Sequence, residues 1–362
     1  MFKNLVRLGA PALTAALLLA APAVAPAAEP LKVGFVYVSP IGEAGWTYQH
    51  NLGRLAMEKN LGAAVTTRYV ENVAEGPDAE RVMRDMAAQG TQLIFATSFG
   101  YLEPALKVAA EFPGVAFEHM GGYKTAPNLN TYNARFYEGR YLAGYVAGRM
   151  SKSGTAGYVA GFAIPEVIQG INAFTLGMRA ANPQATVKVL WLNTWFDPAK
   201  EREAALTLVN QGADVLTHHS GSTAIPALAE EKGVMLLGYQ SDMRRIAPTA
   251  QLTSVTHDWG AHYTAVAQLV IQRRWKPQPF WGGIRQGVIR MAPLSPRVPA
   301  DVAFQVRERE RAIAASRLHP FAGRLVDQDG RVRQTGGTMP DAQLAQMDFF
   351  VRGVVGSLPA RR

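Results

Sequence analysis

The chain has 362 residues, 48% apolar and 18% charged, which fits one large or two medium globular domains and excludes a disordered tail protein. It contains no cysteine, which excludes a disulfide scaffold, a thiolate metal site, a thiol nucleophile and a thioether-linked lipid anchor. The excess behind the formal charge of +9 sits mostly in the C-terminal tail, interleaved with acids rather than in a block and with no nucleic-acid motif beside it, so no nucleic-acid partner is expected.

Lys3 and Arg7 precede an apolar run from Leu8 to Ala25, and Ala25-Pro26-Ala27 offers small residues at a cleavage site. Those three parts make a secretory signal over residues 1–27. The run falls short of the ~20 residues that span a bilayer. The mature chain is expected to begin near Ala28, outside the cytoplasm in the periplasm and free of a lipid anchor.

From Leu31 to Val38 an apolar, β-rich run predicts a strand, stopped by Ser39 and Pro40. A helix follows over Trp46–Lys59, a strand over Val65–Val70, and a helix over Asp78–Ala88 opened by Pro77. Strand Leu93–Ala96, helix Leu102–Phe112 and strand Val115–Phe117 come next. Helix Glu138–Met150 carries Gly144 and Gly148 one turn apart, a spacing for close helix packing. The alternation then restarts with strands Ala156–Ala160, Val187–Trp191, Asp214–Leu216 and Val234–Leu237, separated by helices Pro165–Ala181, Pro198–Gln211 and Ala224–Glu231. Strands apolar on both faces, alternating with helices, predict two α/β lobes with mainly parallel sheets flanked by helices. The expected boundaries are 28–152 and 153–257, with part of 258–295 completing the first lobe. The remainder of 258–362, with helices over Trp259–Gln272, Val302–Ser316 and Leu344–Val354, is expected to pack across both.

No serine-hydrolase elbow, zinc-protease helix, phosphate loop or dinucleotide loop is present, so no catalytic residue, cofactor or metal site is expected. His218 and His219 are adjacent, and neighbours in a strand face opposite ways, which suits a chelate poorly. In such a fold ligands bind beyond the carboxyl ends of the strands. The loops there hold Gly42 to Trp46, Ser98 to Tyr101 (with Phe99), Glu118-His119, Ile164 to Glu166, Trp195 to Asp197, His219 to Gly221 and Tyr239 to Asp242. Aromatic rings beside carboxylates and small polar groups fit a planar nitrogen heterocycle. Trp46 and Trp195 either plug the tops of their sheets or face a ligand, and one in each lobe favours the second.

Gly42 to Asn51, the helix Phe136 to Gly148, the segment Thr194 to Ala205 and Gly238 to Asp242 together resemble the basic membrane protein family of periplasmic substrate-binding proteins, purine nucleoside receptors of ABC importers. Ile164 to Phe174 is similar to a subgroup associated with free bases such as adenine. The resemblance implies a type 1 periplasmic-binding-protein clamshell that closes by a hinge and delivers its cargo, as a monomer, to an inner-membrane ABC permease. It implies a purine sandwiched by Trp46 and Trp195, with Glu118 and Asp242 bonding the ring edges and Gly45, Phe99 and Gln240 nearby. Asn172 either reaches the cleft or lies at the surface. Gln240 stands where nucleoside-binding members commonly carry Asp, and Trp259 is expected to fill the sugar space, so a free base is favoured over a nucleoside. The rival readings are a sugar or nucleoside cargo, and a sensor subunit for a receptor kinase. Against a sugar, Arg140 is expected to face solvent rather than the cleft.

Overall fold

The computed structural model describes residue 1 and residues 29–359, so the signal segment and its cleavage site lie outside the described residues. The chain runs β1 (Leu31–Val36), α1 (Trp46–Leu61), β2 (Val65–Val70), α2 (Pro77–Ala88), β3 (Leu93–Ala96), α3 (Leu102–Glu111), β4 (Ala116–Met120) and β5 (Leu129–Ala134). It continues through α4 (Phe136–Met150), β6 (Thr155–Ala160), α5 (Pro165–Ala181), β7 (Thr186–Trp191), α6 (Pro198–Asn210), β8 (Val215–His219), α7 (Ala224–Lys232), β9 (Met235–Gln240) and β10 (Gln251–His257). The last part holds α8 (Gly260–Ile271), β11 (Phe280–Gly282), β12 (Ile289–Met291), α9 (Ala300–Ala314), β13 (Leu325–Val326), β14 (Val332–Gln334), α10 (Asp341–Leu344) and β15 (Val354–Val355).

Two sheets result. The first has order β11-β5-β4-β3-β1-β2 and the second β12-β10-β9-β8-β6-β7-β15. All pairs in the first sheet are parallel; in the second only β12 runs antiparallel, against β10. The strands are apolar because helices cover both faces: Leu93, Ile94, Phe95 and Ala96 of β3 are all fully buried. The chain leaves the first sheet after β5, returns through α8 and β11, and crosses again to β12.

Helix α4 precedes residue 152 but packs on α5, β10, β12 and α9 rather than on the first sheet. Its glycines explain this. A Cβ on Gly144 would sit 2.0 Å from the Phe174 carbonyl oxygen, and one on Gly148 would sit 2.2 Å from that of Met178, so the bare backbone of α4 lies directly on α5. Arg140 on the same helix is fully buried, not turned to solvent: it donates to Thr217 Oγ1 (3.0 Å) and the His218 carbonyl (2.5 Å) and lies 3.4 Å over the Tyr239 ring. The expected helix over 344–354 does not form. After α10 that stretch runs as irregular chain into β15, pairing with β7 at the edge of the second sheet. Strands β5 and β10 carry Asn130, Thr131, Thr253 and Ser254 among their buried residues, and that polarity masks them in the sequence.

Candidate functional site

A cavity of about 40 Å³ lies between the two sheets. One water needs ~10–15 Å³ on this scale, so the space suits a flat ring or a few waters. Its walls come from the carboxyl ends of seven strands. After β1 it is lined by Val38, Ser39 and Trp46; after β3 by Ser98 and Phe99; at the end of β4 by Met120 and Gly121. The second sheet supplies Ile164 and Glu166 after β6, Trp195 after β7, His219 to Gly221 at the end of β8, and Gln240 at the end of β9. In each sheet the strand order reverses at the lobe's first strand, β1 between β3 and β2 or β6 between β8 and β7, which opens a crevice at that point.

Trp46 is the first residue of α1, and its indole N–H donates to the Thr97 carbonyl at 2.7 Å. Behind it stand His50, His257 and Phe136, with ring centroids 4.7, 5.2 and 5.9 Å away. Trp195 is placed by the residues that follow it. Asp197 caps α6 by accepting from the Lys200 N–H, and Pro198 occupies the first turn, so the aromatic pair is held immediately before the helix. The Trp195 ring lies against Gly161, where a Cβ would stand 2.7 Å away. Its carbonyl accepts from Gly221 N, and buried Glu201 accepts from Ser220 and Ser222 Oγ, so the loops after β7 and β8 are tied into one wall.

The two lobes touch around the cavity. Gly45 N donates to Ser241 Oγ at 2.9 Å, Gln49 Nε2 to the His257 carbonyl at 2.6 Å, and Trp195 Nε1 to Glu75 Oε1 at 3.0 Å. Gly45 has φ +104°, and a Cβ there would meet the Gly221 carbonyl oxygen at 2.4 Å. Only glycine permits both the backbone conformation and the approach.

Trp46, Phe99, Trp195 and Gln240 therefore face one space, and Gly45 seals its rim. Gln240 holds φ +69° at the end of β9, and its buried Oε1 has no hydrogen-bond partner. Four other expected site residues lie elsewhere. Glu118 sits two residues short of the end of β4 and accepts from Trp275 Nε1 (2.8 Å) and Asn130 Nδ2 (3.0 Å) inside the first lobe. Asp242 is engaged by Arg244 and by Gln251 Nε2 (2.8 Å). Trp259 is fully buried, stacked on His50 at 5.5 Å, because Gly53 opens a slot for it on α1. Asn172 neither reaches the cleft nor the surface: its amide bonds the backbone of Phe349 and Val351 and clips the tail to α5.

From the sequence, Glu166 was reached only as part of a strand-end loop, with no role given to it, and Glu75 was not reached at all. Glu166, in the first turn of α5, is the carboxyl of the cavity wall, and burial pushes it up to about 7 against a hydrogen bond from Asn133 and the Arg140 charge. His219 Nε2 lies 3.7 Å from Glu166 Oε1, and its Nδ1 is buried without a partner. Burial, then Arg140, holds the His219 imidazole well below its ordinary range, so it is neutral. The cavity thus offers flat apolar faces and three polar groups with free capacity: Gln240, His219 and Glu166. Among the described residues no three His, Asp or Glu side chains could hold a metal ion, and no helix is long and apolar enough to cross a membrane.

Comparison with known proteins agrees with this architecture. A family model described as ABC transporter substrate-binding protein, PnrA-like, matches residues 31–317. A purine-binding protein of Brucella abortus is 48% identical over 334 residues, 92% of this chain and 95% of the relative. A putative ABC transporter glucose-binding protein of Haloferax volcanii is 37% identical over 332 residues, covering 92% of this chain and 82% of its own. In fold, the chain resembles solute-binding proteins of ABC transporter systems from Aeropyrum pernix (TM-score 0.71, 18% identity, 80% of this chain and 93% of the other) and Conexibacter woesei (TM-score 0.66, 22% identity, 80% and 98%). The chain belongs to the Bmp family of PnrA-like ABC-transporter substrate-binding proteins.

Proposed function

We propose that this protein captures a purine between its lobes, a free base such as adenine in preference to a nucleoside, and delivers it outside the cytoplasm to the permease of an ABC importer. The observation that carries the reading is the pair Trp46 and Trp195, brought from opposite sheets to one narrow cavity. Base–aromatic stacking contributes roughly 1–3 kcal/mol per base, so two faces supply much of a micromolar affinity. Gln240, His219 and Glu166 then hydrogen-bond the ring edge, and a ligand of the wrong pattern leaves them unpaired in a dry site. Gln240 stands on the cavity wall where nucleoside-binding members commonly carry Asp, which supports the base. Binding proceeds by hinge motion: the open form admits the ligand, and closure forms the contacts of Gly45, Gln49 and Trp195 across the cleft. The role is binding rather than catalysis, by a protein acting as a monomer.

The Haloferax relative makes glucose the second reading. Mass spectrometry of the native protein, followed by thermal-shift titration with adenine, guanine, adenosine, guanosine and glucose, separates the two. Adenine should co-purify or raise the melting temperature most. Stabilisation by glucose with none by any purine overturns the reading.

A further inference from the structure

Glu75 lies in the loop between β2 and α2 and does not line the cavity, yet its carboxylate gathers donors from both lobes. Oε1 accepts from Ser98 Oγ at 2.6 Å and from Gly100 N at 2.9 Å, both in the first lobe. A Cβ on Gly100 would stand 2.4 Å from this carboxylate, so the turn after β3 is wrapped tightly around it. The third donor to the same oxygen is Trp195 Nε1, which belongs to the second lobe.

We propose that Glu75 is the latch of the closed form and the positioning residue for Trp195. Its two bonds within the first lobe hold the acceptor in place before closure. Trp195 can reach it only when the lobes meet, so the bond exists in the closed form alone. An indole gripped at its N–H keeps one face toward the cavity, where Gly161 supports the other side. A charged acceptor makes this a stronger bond than a neutral pair. Its loss therefore acts on reopening, and hence on ligand release, more than on capture. The inference rests on the closure reading of the cleft and uses adenine only as a probe.

Stopped-flow kinetics with adenine test the bond. Glu75→Ala should raise the release rate about tenfold with capture little changed, while Glu75→Gln, whose amide oxygen still accepts, should recover most of the loss. Trp195→Phe keeps a stacking face but has no N–H, so it should release at a rate like that of Glu75→Ala, and the double variant should add little. If the two effects multiply, Glu75 acts only by shaping the turn at Ser98 to Gly100, and the latch is wrong. A second measurement needs no purine. The native chain has no cysteine, so Asp78→Cys and Lys200→Cys, both well exposed, carry spin labels on the two lobes. Glu75→Ala should shift the labels toward longer separations. Identical separations overturn the latch even if adenine fails to bind, an outcome that would count against the purine reading alone.

Discussion

Trp46 and Trp195 wall the same cavity from opposite sheets, and each donates its indole N–H to an oxygen of the first lobe, Thr97 O for one and Glu75 Oε1 for the other. Both rings are therefore oriented by hydrogen bonds as well as by packing. Truncating either should remove one stacking face. Trp46→Ala or Trp195→Ala is expected to weaken adenine binding at least tenfold by calorimetry. Unchanged affinity in both variants would end the sandwich.

At the proposed purine site, Glu166 is expected to make binding depend on pH. With its carboxyl raised to about 7, it is neutral in mildly acid solution and can donate O–H to a ring nitrogen while accepting from an amino group. Adenine affinity should be level below pH 7 and weaken by up to about tenfold per unit above it. Glu166→Gln keeps a donor and an acceptor but does not ionise, so its affinity should be level throughout. A wild-type profile that stays level to pH 8.5 would remove Glu166 from the binding face.

A substitution at Gly45 separates the proposed closure from folding. Gly45→Ala brings a methyl group against the backbone of Gly221 in the other lobe, where no side chain can give way. Adenine affinity should fall about a hundredfold. The backbone strain inside the first lobe costs about 1–3 kcal/mol, so the ligand-free melting temperature should drop by no more than about 10 °C. A large fall in melting temperature with intact affinity would contradict this.

Gly144 serves stability instead. Its Cβ would overlap the Phe174 carbonyl at 2.0 Å, backbone against backbone, in the helix pair that anchors the second lobe. Gly144→Ala should cost more than about 3 kcal/mol in urea unfolding, well above an ordinary substitution. A loss within 1 kcal/mol would mean that α4 and α5 are not in contact.

Acid should destabilise the ligand-free protein. Burial pushes His119, His218 and His257 down to about 3 and His262 to about 4, and lowers His50, His219 and His319. A depressed histidine contributes stability that is complete above pH 6.5 and lost as pH falls toward its folded value. Glu118 and Glu166, raised to about 7, work oppositely: their contribution is complete below pH 4.5 and lost as pH rises through 7. Glu138, Glu201 and Glu310 are raised as well. Seven histidines outnumber five glutamates, so near pH 5.5 the unfolded chain binds more protons. The melting temperature should fall from pH 6.5 to 5 and more steeply below 4.5. Calorimetry showing no change from pH 7 to 5 would contradict the buried neutral histidines.

The alternation of apolar runs and amphipathic segments was enough to read two parallel sheets, because period and polarity are local properties. The rule that ligands meet strand ends then led to Trp46, Phe99, Trp195 and Gln240 without coordinates. Strand ends themselves were less legible. Expected to stop at Phe117, Leu216 and Leu237, the strands run on to Met120, His219 and Gln240, because the polar residues that extend them are themselves buried.

By itself, then, the sequence determined the α/β alternation, the family, and the matched tryptophans at the tops of two sheets. Only the tertiary structure decided which polar side chains turn into the cleft. Glu118 and Glu166 look alike in the sequence, each a carboxylate near a strand end. Trp275, 157 residues away, claims the first, while the second stays on the cavity wall. Trp259 and Asn172 went the same way, one stacked on His50 and the other bonded to the tail at Phe349 and Val351. A buried polar group goes where its hydrogen bonds are satisfied, and those partners come from distant parts of the chain that local pattern cannot specify.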